Sequence, residues 1–223
     1  MRFGSPFRKP IGVIHTGPIH TLHFADGRPV DDDLYWCEPT FTQEQELFKY
    51  TDRWQEIEKN RRWATRRLAA LDYRSDLEAL LIRYAGALDQ PDMEVAVLQM
   101  WSILERITNT VGSNYDEMIK RVVWSYWDVD RPVARDILQT IRYRRNEYVH
   151  SGKVGRDSDQ AAYLIKSFVD PHLLKLISNP FKIRSLEEYG SFLALPTDIT
   201  FLAQKRRNLA QALRVLSAKK SIK

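Results

Sequence analysis

Apolar residues recur at helical spacing from residue 74 to residue 178, and this period limits the chain to a mainly α fold. Leu77, Leu80, Leu81, Tyr84 and Leu88 mark one face of a helix predicted over 74–88. Over 91–111 a broad stripe follows: Met93, Ala96, Val97, Met100, Trp101, Leu104, Ile107 and Val111. A third segment, 159–178, carries Ala162, Leu164, Ile165, Phe168, Leu173, Leu174, Leu176 and Ile177, and Asp170-Pro171 is predicted to kink or break it. Stripes of this width belong to helices that bury one side against others. A chain of 223 residues, 43% hydrophobic and with six tryptophans, has enough apolar surface for a core of that kind. Shorter helices are expected over 115–127 and near 185–192.

The flanks read differently. In residues 1–40, Val13 to Thr16, the pair Gly17-Pro18 and Ile19 to Phe24 predict a β-hairpin, with a second turn at Asp26-Gly27-Arg28-Pro29. That register makes His15 and His20 cross-strand neighbours and puts His23 on the other face, so a surface hairpin is preferred to a three-histidine metal site. Residues 31–39 read as an acidic linker. A helix predicted over 42–70 ends in the basic run KNRRWATRR, read as a solvated face with Trp63 in the core; the alternative is an RNA-facing edge with Trp63 free to stack. A last helix is expected from Pro196, capped by Thr197 and packed on the bundle with a solvated basic face; the alternatives are added RNA affinity or an anionic membrane surface. The organisation is therefore an appendage over 1–40, a helical bundle over 41–195 and a basic helix and tail over 196–223.

Several classes drop out. No apolar run approaches the ~18 residues of a membrane span. The N-terminal MRFGSPFRKP is basic but has no apolar segment after it, so a cytoplasmic protein is expected. Cys37 is the single cysteine, which excludes an internal disulfide and a cysteine metal cluster within one chain. The nucleotide-binding glycine motifs, His-Glu-x-x-His and Gly-x-Ser-x-Gly do not occur. Neither a metal nor a cofactor is expected. The net charge of +5 is unevenly spread: residues 131–156 hold seven bases against Asp136 and Glu147, and residues 199–223 hold seven bases and no acid. Basic charge so placed suits a polyanion such as RNA, although solvated helix faces also produce it.

The strongest chemical signal lies in RPVARDILQTIRYRRNEYVHSG, residues 131–152. Pro132 suits a first helical turn and Ser151-Gly152 a stop. The stripe Ala134, Ile137, Leu138, Ile141 continues in phase to Arg145 and Tyr148, so a guanidinium stands where the pattern asks for a hydrophobe. A charge aimed at a core needs a partner or has a task. His150 follows Asn146 by one turn on the same face, at a helix C-terminus that favours positive charge. Arginine, a polar amide and histidine along one groove suit phosphate chemistry without a metal: histidine moves protons and arginine clamps phosphate.

The run RNEYVH matches the Arg-Asn-x-x-x-His signature of HEPN domains, and IRYRRNEYVHSG resembles their Apea-like branch. The resemblance implies a helical bundle that dimerises. It also implies a metal-independent ribonuclease whose site, shared between the subunits of a homodimer, is made of Arg145, Asn146 and His150. By the same resemblance Glu105, beside the 91–111 stripe, is the expected partner of Arg145. Arg142, Arg144, Lys153 and Arg156 are expected to contact RNA. A toxin or antiviral setting, with an antitoxin partner or an upstream sensor domain, follows from the resemblance alone. The competing reading is a non-catalytic dimerisation or RNA-binding module in which Arg145 is structural.

Overall fold

In the computed structural model, residues 19–37, 54–90, 92–112, 114–151 and 158–220 are described. They form a mainly α-helical bundle preceded by a small antiparallel hairpin. The helices are α1 (Trp54–Ala69), α2 (Arg74–Leu88), α3 (Met93–Ile107), α4 (Tyr115–Val122), α5 (Arg131–Ser151), α6 (Ser158–Ser178), α7 (Leu186–Leu193) and α8 (Ile199–Lys220), with a 3-10 turn at Val123–Ser125.

Helix α3 is the hub. It packs against α2, α4, α5, α6 and α7, and its most extensive seam is with α6. The predicted stripes are the faces that do this. Leu77, Leu80, Leu81, Tyr84 and Leu88 of α2 are buried, as are Ala96, Val97, Met100, Trp101, Leu104 and Ile107 of α3. Asp92 caps α3 by accepting from the amides of Glu94 and Val95. Val111 falls outside the pattern and is exposed, because α3 ends at Ile107. Asn109, at φ 54°, then turns the chain away. Behind that turn α7 comes very close: a Cβ at Gly190 would lie 2.7 Å from Asn109 Cβ. A side chain there would force two backbones apart.

Five other expectations are corrected. Helix α6 runs unbroken through Pro171. Ala162, Ile165, Phe168, Val169, Leu173 and Leu176 bury it on both sides of the proline, and that packing outweighs the ~3 kcal/mol a mid-helix proline costs. Strand β1 (Ile19–Thr21) pairs with β2 (Tyr35–Cys37) inside the presumed acidic linker, with His20 opposite Trp36. The second turn is present, with Gly27 at φ 87° and a bridge between His23 and Pro29. The predicted strand Val13 to Thr16, and His15 with it, lie outside the described residues, as do residues 42–53 of the first predicted helix. Trp63 is exposed rather than in the core; Ala64 and Leu68 are the residues by which α1 rests on the bundle. Finally, Asp198 rather than Thr197 caps α8, accepting from the amides of Thr200 and Phe201. Helix α8 does not lay its apolar side on the bundle, since every residue from 203 to 217 is exposed.

The core contains two polar groups that the apolar stripes conceal. His172 in α6 is buried, and its Nε2 lies 3.0 Å from the Val122 carbonyl, which can only accept. The proton is therefore on Nε2, and Nδ1 accepts from the Tyr189 hydroxyl at 2.9 Å. Burial, against the pull of the Val122 carbonyl and with the Lys175 charge adding, pushes the imidazole down to about 4. The unfolded chain takes up that proton near pH 6.5, so the stability contributed by neutral His172 is complete above 6.5 and is lost as pH falls towards 4. Urea unfolding at a series of pH values should show a loss approaching 3 kcal/mol across that window. His172→Gln should flatten that limb; an unchanged limb would rule His172 out as its source. The second group is a cluster of Lys166, Asp170 and Tyr84, in which Lys166 Nζ lies 2.6 Å from Asp170 Oδ2 and the Tyr84 hydroxyl donates to Asp170 Oδ1. No helix among the described residues is long and apolar enough to cross a membrane.

Candidate active site on the α5 helix

Helix α5 is buried through Ala134, Leu138 and Ile141, and this places the following turns at the rim of the bundle. Arg145 is half-buried there, one turn beyond Ile141 on the same stripe. Its Nη1 donates to the Tyr115 hydroxyl at 2.9 Å and to Asn146 Oδ1 at 3.2 Å. Its guanidinium carbon also lies 5.2 Å from the centre of the Tyr115 ring. The Nε of Arg145 is buried without a hydrogen-bond partner. The charge that the pattern placed on a core stripe is thus held at the rim by an aromatic ring and two neutral oxygens.

Tyr115 organises this end of the site. Asn114 caps α4 and starts it so that Tyr115 occupies the first turn. The ring stands edge-on to Trp101, with centroids 5.8 Å apart, and Arg142 approaches it at 5.3 Å. Arg142 in turn donates to Asp116 Oδ1 at 2.8 Å, where Gln139 also donates at 3.0 Å. The Gln139 bond, then the charge of Arg142, hold the Asp116 carboxyl below its ordinary range. Arg142 is therefore tied to the bundle beside Arg145.

Glu105 is placed differently from expectation. Its carboxylate accepts from Trp101 Nε1 at 3.2 Å, one turn back on α3, and the direct partners of Arg145 are Tyr115 and Asn146. Burial holds Glu105 above the usual carboxylate range, against the opposing effects of the Trp101 bond and the Arg145 charge. Glu105 thus acts on Arg145 through the field and not through contact.

His150 is exposed, with no hydrogen-bond partner among the described residues. Helical spacing puts it on the same face as Asn146 and the exposed Tyr143. Between them, Tyr148 reaches Asp92 Oδ2 at 3.4 Å and ties this end of α5 to the start of α3. Arg144 points elsewhere: it lines a cleft of about 160 Å³ between α5 and α6, with Ile137, Thr140 and Leu164 among its walls. Arg142 and Arg144 therefore do not share one surface, and Lys153 and Arg156 lie outside the described residues. Arginine, amide and an exposed imidazole along one rim can bind a phosphate diester and move a proton beside it. Tyr115 is the member that sequence reasoning missed, since nothing local to α4 links it to a residue 30 positions later. In comparisons with known protein families, curated proteins and solved structures, nothing matches the chain.

Proposed function

We propose that the chain is a HEPN-type, metal-independent endoribonuclease of the cytoplasm. The observation that carries the reading is the Arg145–Asn146 pair held against Tyr115, with His150, which has no hydrogen-bond partner among the described residues, one turn further along α5. The match of RNEYVH to the Arg-Asn-x-x-x-His signature supports it from the sequence side. In this mechanism Arg145 binds the scissile phosphate and the charge that builds on it. Asn146 orients the phosphate or the imidazole. His150 transfers a proton at the ribose 2′-hydroxyl or at the leaving 5′-oxygen. The 2′-oxygen bonds to phosphorus as the bond from phosphorus to the 5′-oxygen breaks. The 2′-proton is lost, the 5′-oxygen gains one, and the products are a 2′,3′-cyclic phosphate and a 5′-hydroxyl.

Two further elements belong to the proposal. Tyr143, exposed on the face of His150, offers a ring on which a base can stack. A homodimer would bring two such rims together and double the proton-transfer groups. A role as a toxin or antiviral effector, held by an antitoxin or an upstream sensor domain, rests on the family resemblance alone. One observation favours the rival reading of a non-catalytic module: Arg145 already has Tyr115 and Asn146 as partners.

The test is cleavage of mixed RNA in EDTA by the wild type and by His150→Ala, prepared side by side. Cleavage by the wild type alone, with both proteins folded and binding RNA equally, is the expected result. Equal cleavage by both would remove His150 from the mechanism. Cleavage that EDTA abolishes would refute the metal-independent mechanism.

A further inference from the structure

Helix α8 has the pattern of a coiled-coil strand and, among the described residues, no cover. Ile199, Leu202, Arg206, Leu209, Leu213 and Leu216 follow one another at alternating spacings of three and four residues, the seam of a heptad repeat. Of these, Ile199 is 83% exposed, Leu209 57%, Leu213 66% and Leu216 58%. Helices in proteins gain most of their stability by packing an apolar face, and here Leu202 is half-buried while Ile199, Leu209, Leu213 and Leu216 stand exposed, the kind of surface that another element covers.

Charge selects the occupant. Arg206 stands inside the seam, Lys205 beside it and Arg207 and Arg214 on the opposite flank, and no acid occurs from residue 199 to the end of the sequence. A second copy of α8 in parallel register would set Arg206 against Arg206. In either orientation it would bring two wholly basic strands together with nothing to neutralise them. A bilayer surface favours a broad apolar face, whereas this seam is narrow, is interrupted by Arg206 and leaves Phe201 and Val215 on the far side. RNA would use the bases and leave the leucines exposed. A helix with leucines at the matching positions and glutamates beside them satisfies both features.

We infer that α8 is a docking strand for an acidic amphipathic helix of a partner protein, a function separate from the α5 site. The probe is a synthetic three-heptad peptide with leucine in its seam and glutamate along both flanks, titrated into the full chain. Phosphatidylglycerol vesicles and single-stranded RNA are titrated in parallel. Saturable one-to-one binding of the peptide, weakening as salt rises, is expected. Both Leu209→Gln/Leu213→Gln and Arg206→Glu should weaken it about tenfold or more. All three positions are exposed, so the variants should melt like the wild type and cleave RNA as it does.

Peptide binding that the leucine variant leaves unchanged would overturn the proposal. So would tighter binding of vesicles than of peptide, or RNA binding lost with the same leucines and no peptide binding. A wild-type oligomer that Leu209→Gln/Leu213→Gln dissociates would show that a second copy covers the seam, and would overturn it as well.

Discussion

Arg145→Ala is expected to reduce RNA cleavage about a hundred- to thousandfold while leaving the fold intact. Removing one preorganised donor from a developing oxyanion costs that much in other active sites. The stability effect should be moderate, because Arg145 is only half-buried and its direct partners are the neutral Tyr115 hydroxyl and Asn146 amide. Two hydrogen bonds from the guanidinium to neutral oxygens at the rim and a cation–π contact together amount to about 2–3 kcal/mol. An arginine buried for structural reasons with a paired carboxylate would instead cost about 3–5 kcal/mol when truncated. Measuring cleavage and urea stability on the same preparation separates the two readings. A stable, active Arg145→Ala protein would end the nuclease assignment for this helix. Tyr115→Phe refines the point: it removes the hydroxyl that accepts from Nη1 and keeps the ring beneath the guanidinium. Its effect should fall on cleavage and be smaller than that of Arg145→Ala.

Asp170→Ala should destabilise the bundle by about 3–5 kcal/mol, the range for removing one partner of a buried charge pair. Lys166 and Asp170 are 2% and 4% exposed, and the carboxylate serves two groups at once. It neutralises the Lys166 ammonium at 2.6 Å and accepts from the Tyr84 hydroxyl, joining α6 to α2 across the core. Burial first, then the Asp170 charge and the bond to it, push the Tyr84 phenol up, so this hydroxyl remains a donor. Alanine would leave a buried ammonium one carboxylate short and a buried hydroxyl without its acceptor. Tyr84→Phe removes only the donor and should cost about 1 kcal/mol. Equilibrium urea unfolding of the three proteins measures both effects. Equal stability of Asp170→Ala and the wild type would mean that the ion pair contributes nothing in place.

Local periodicity made the helices from residue 74 to residue 178 legible, because a stripe at helical spacing is a property of neighbouring residues. Helix α5 begins at Arg131 and runs to Ser151, with Pro132 in its first turn. The same periodicity singled out Arg145 as a charge in an apolar phase, and the structure holds it half-buried at the rim. Pairings between distant segments were not legible. The partner of strand β1 is Tyr35–Cys37, and the helix across Pro171 survives because of the layers packed on it. Tyr115 meets Arg145 only because α4 and α5 pack together, and Glu105 turned to Trp101 because that indole lies one turn away on its own helix. Helix α8 shows the same division: its amphipathic seam is written in residues 199–216, but whether the bundle covers it is not. The sequence by itself determined which residues form helices and which faces are apolar, since these depend on spacing along one strand. Only the tertiary structure decided which faces meet, which charges find partners and which seam stays open, because each of these depends on contacts between residues far apart in the chain.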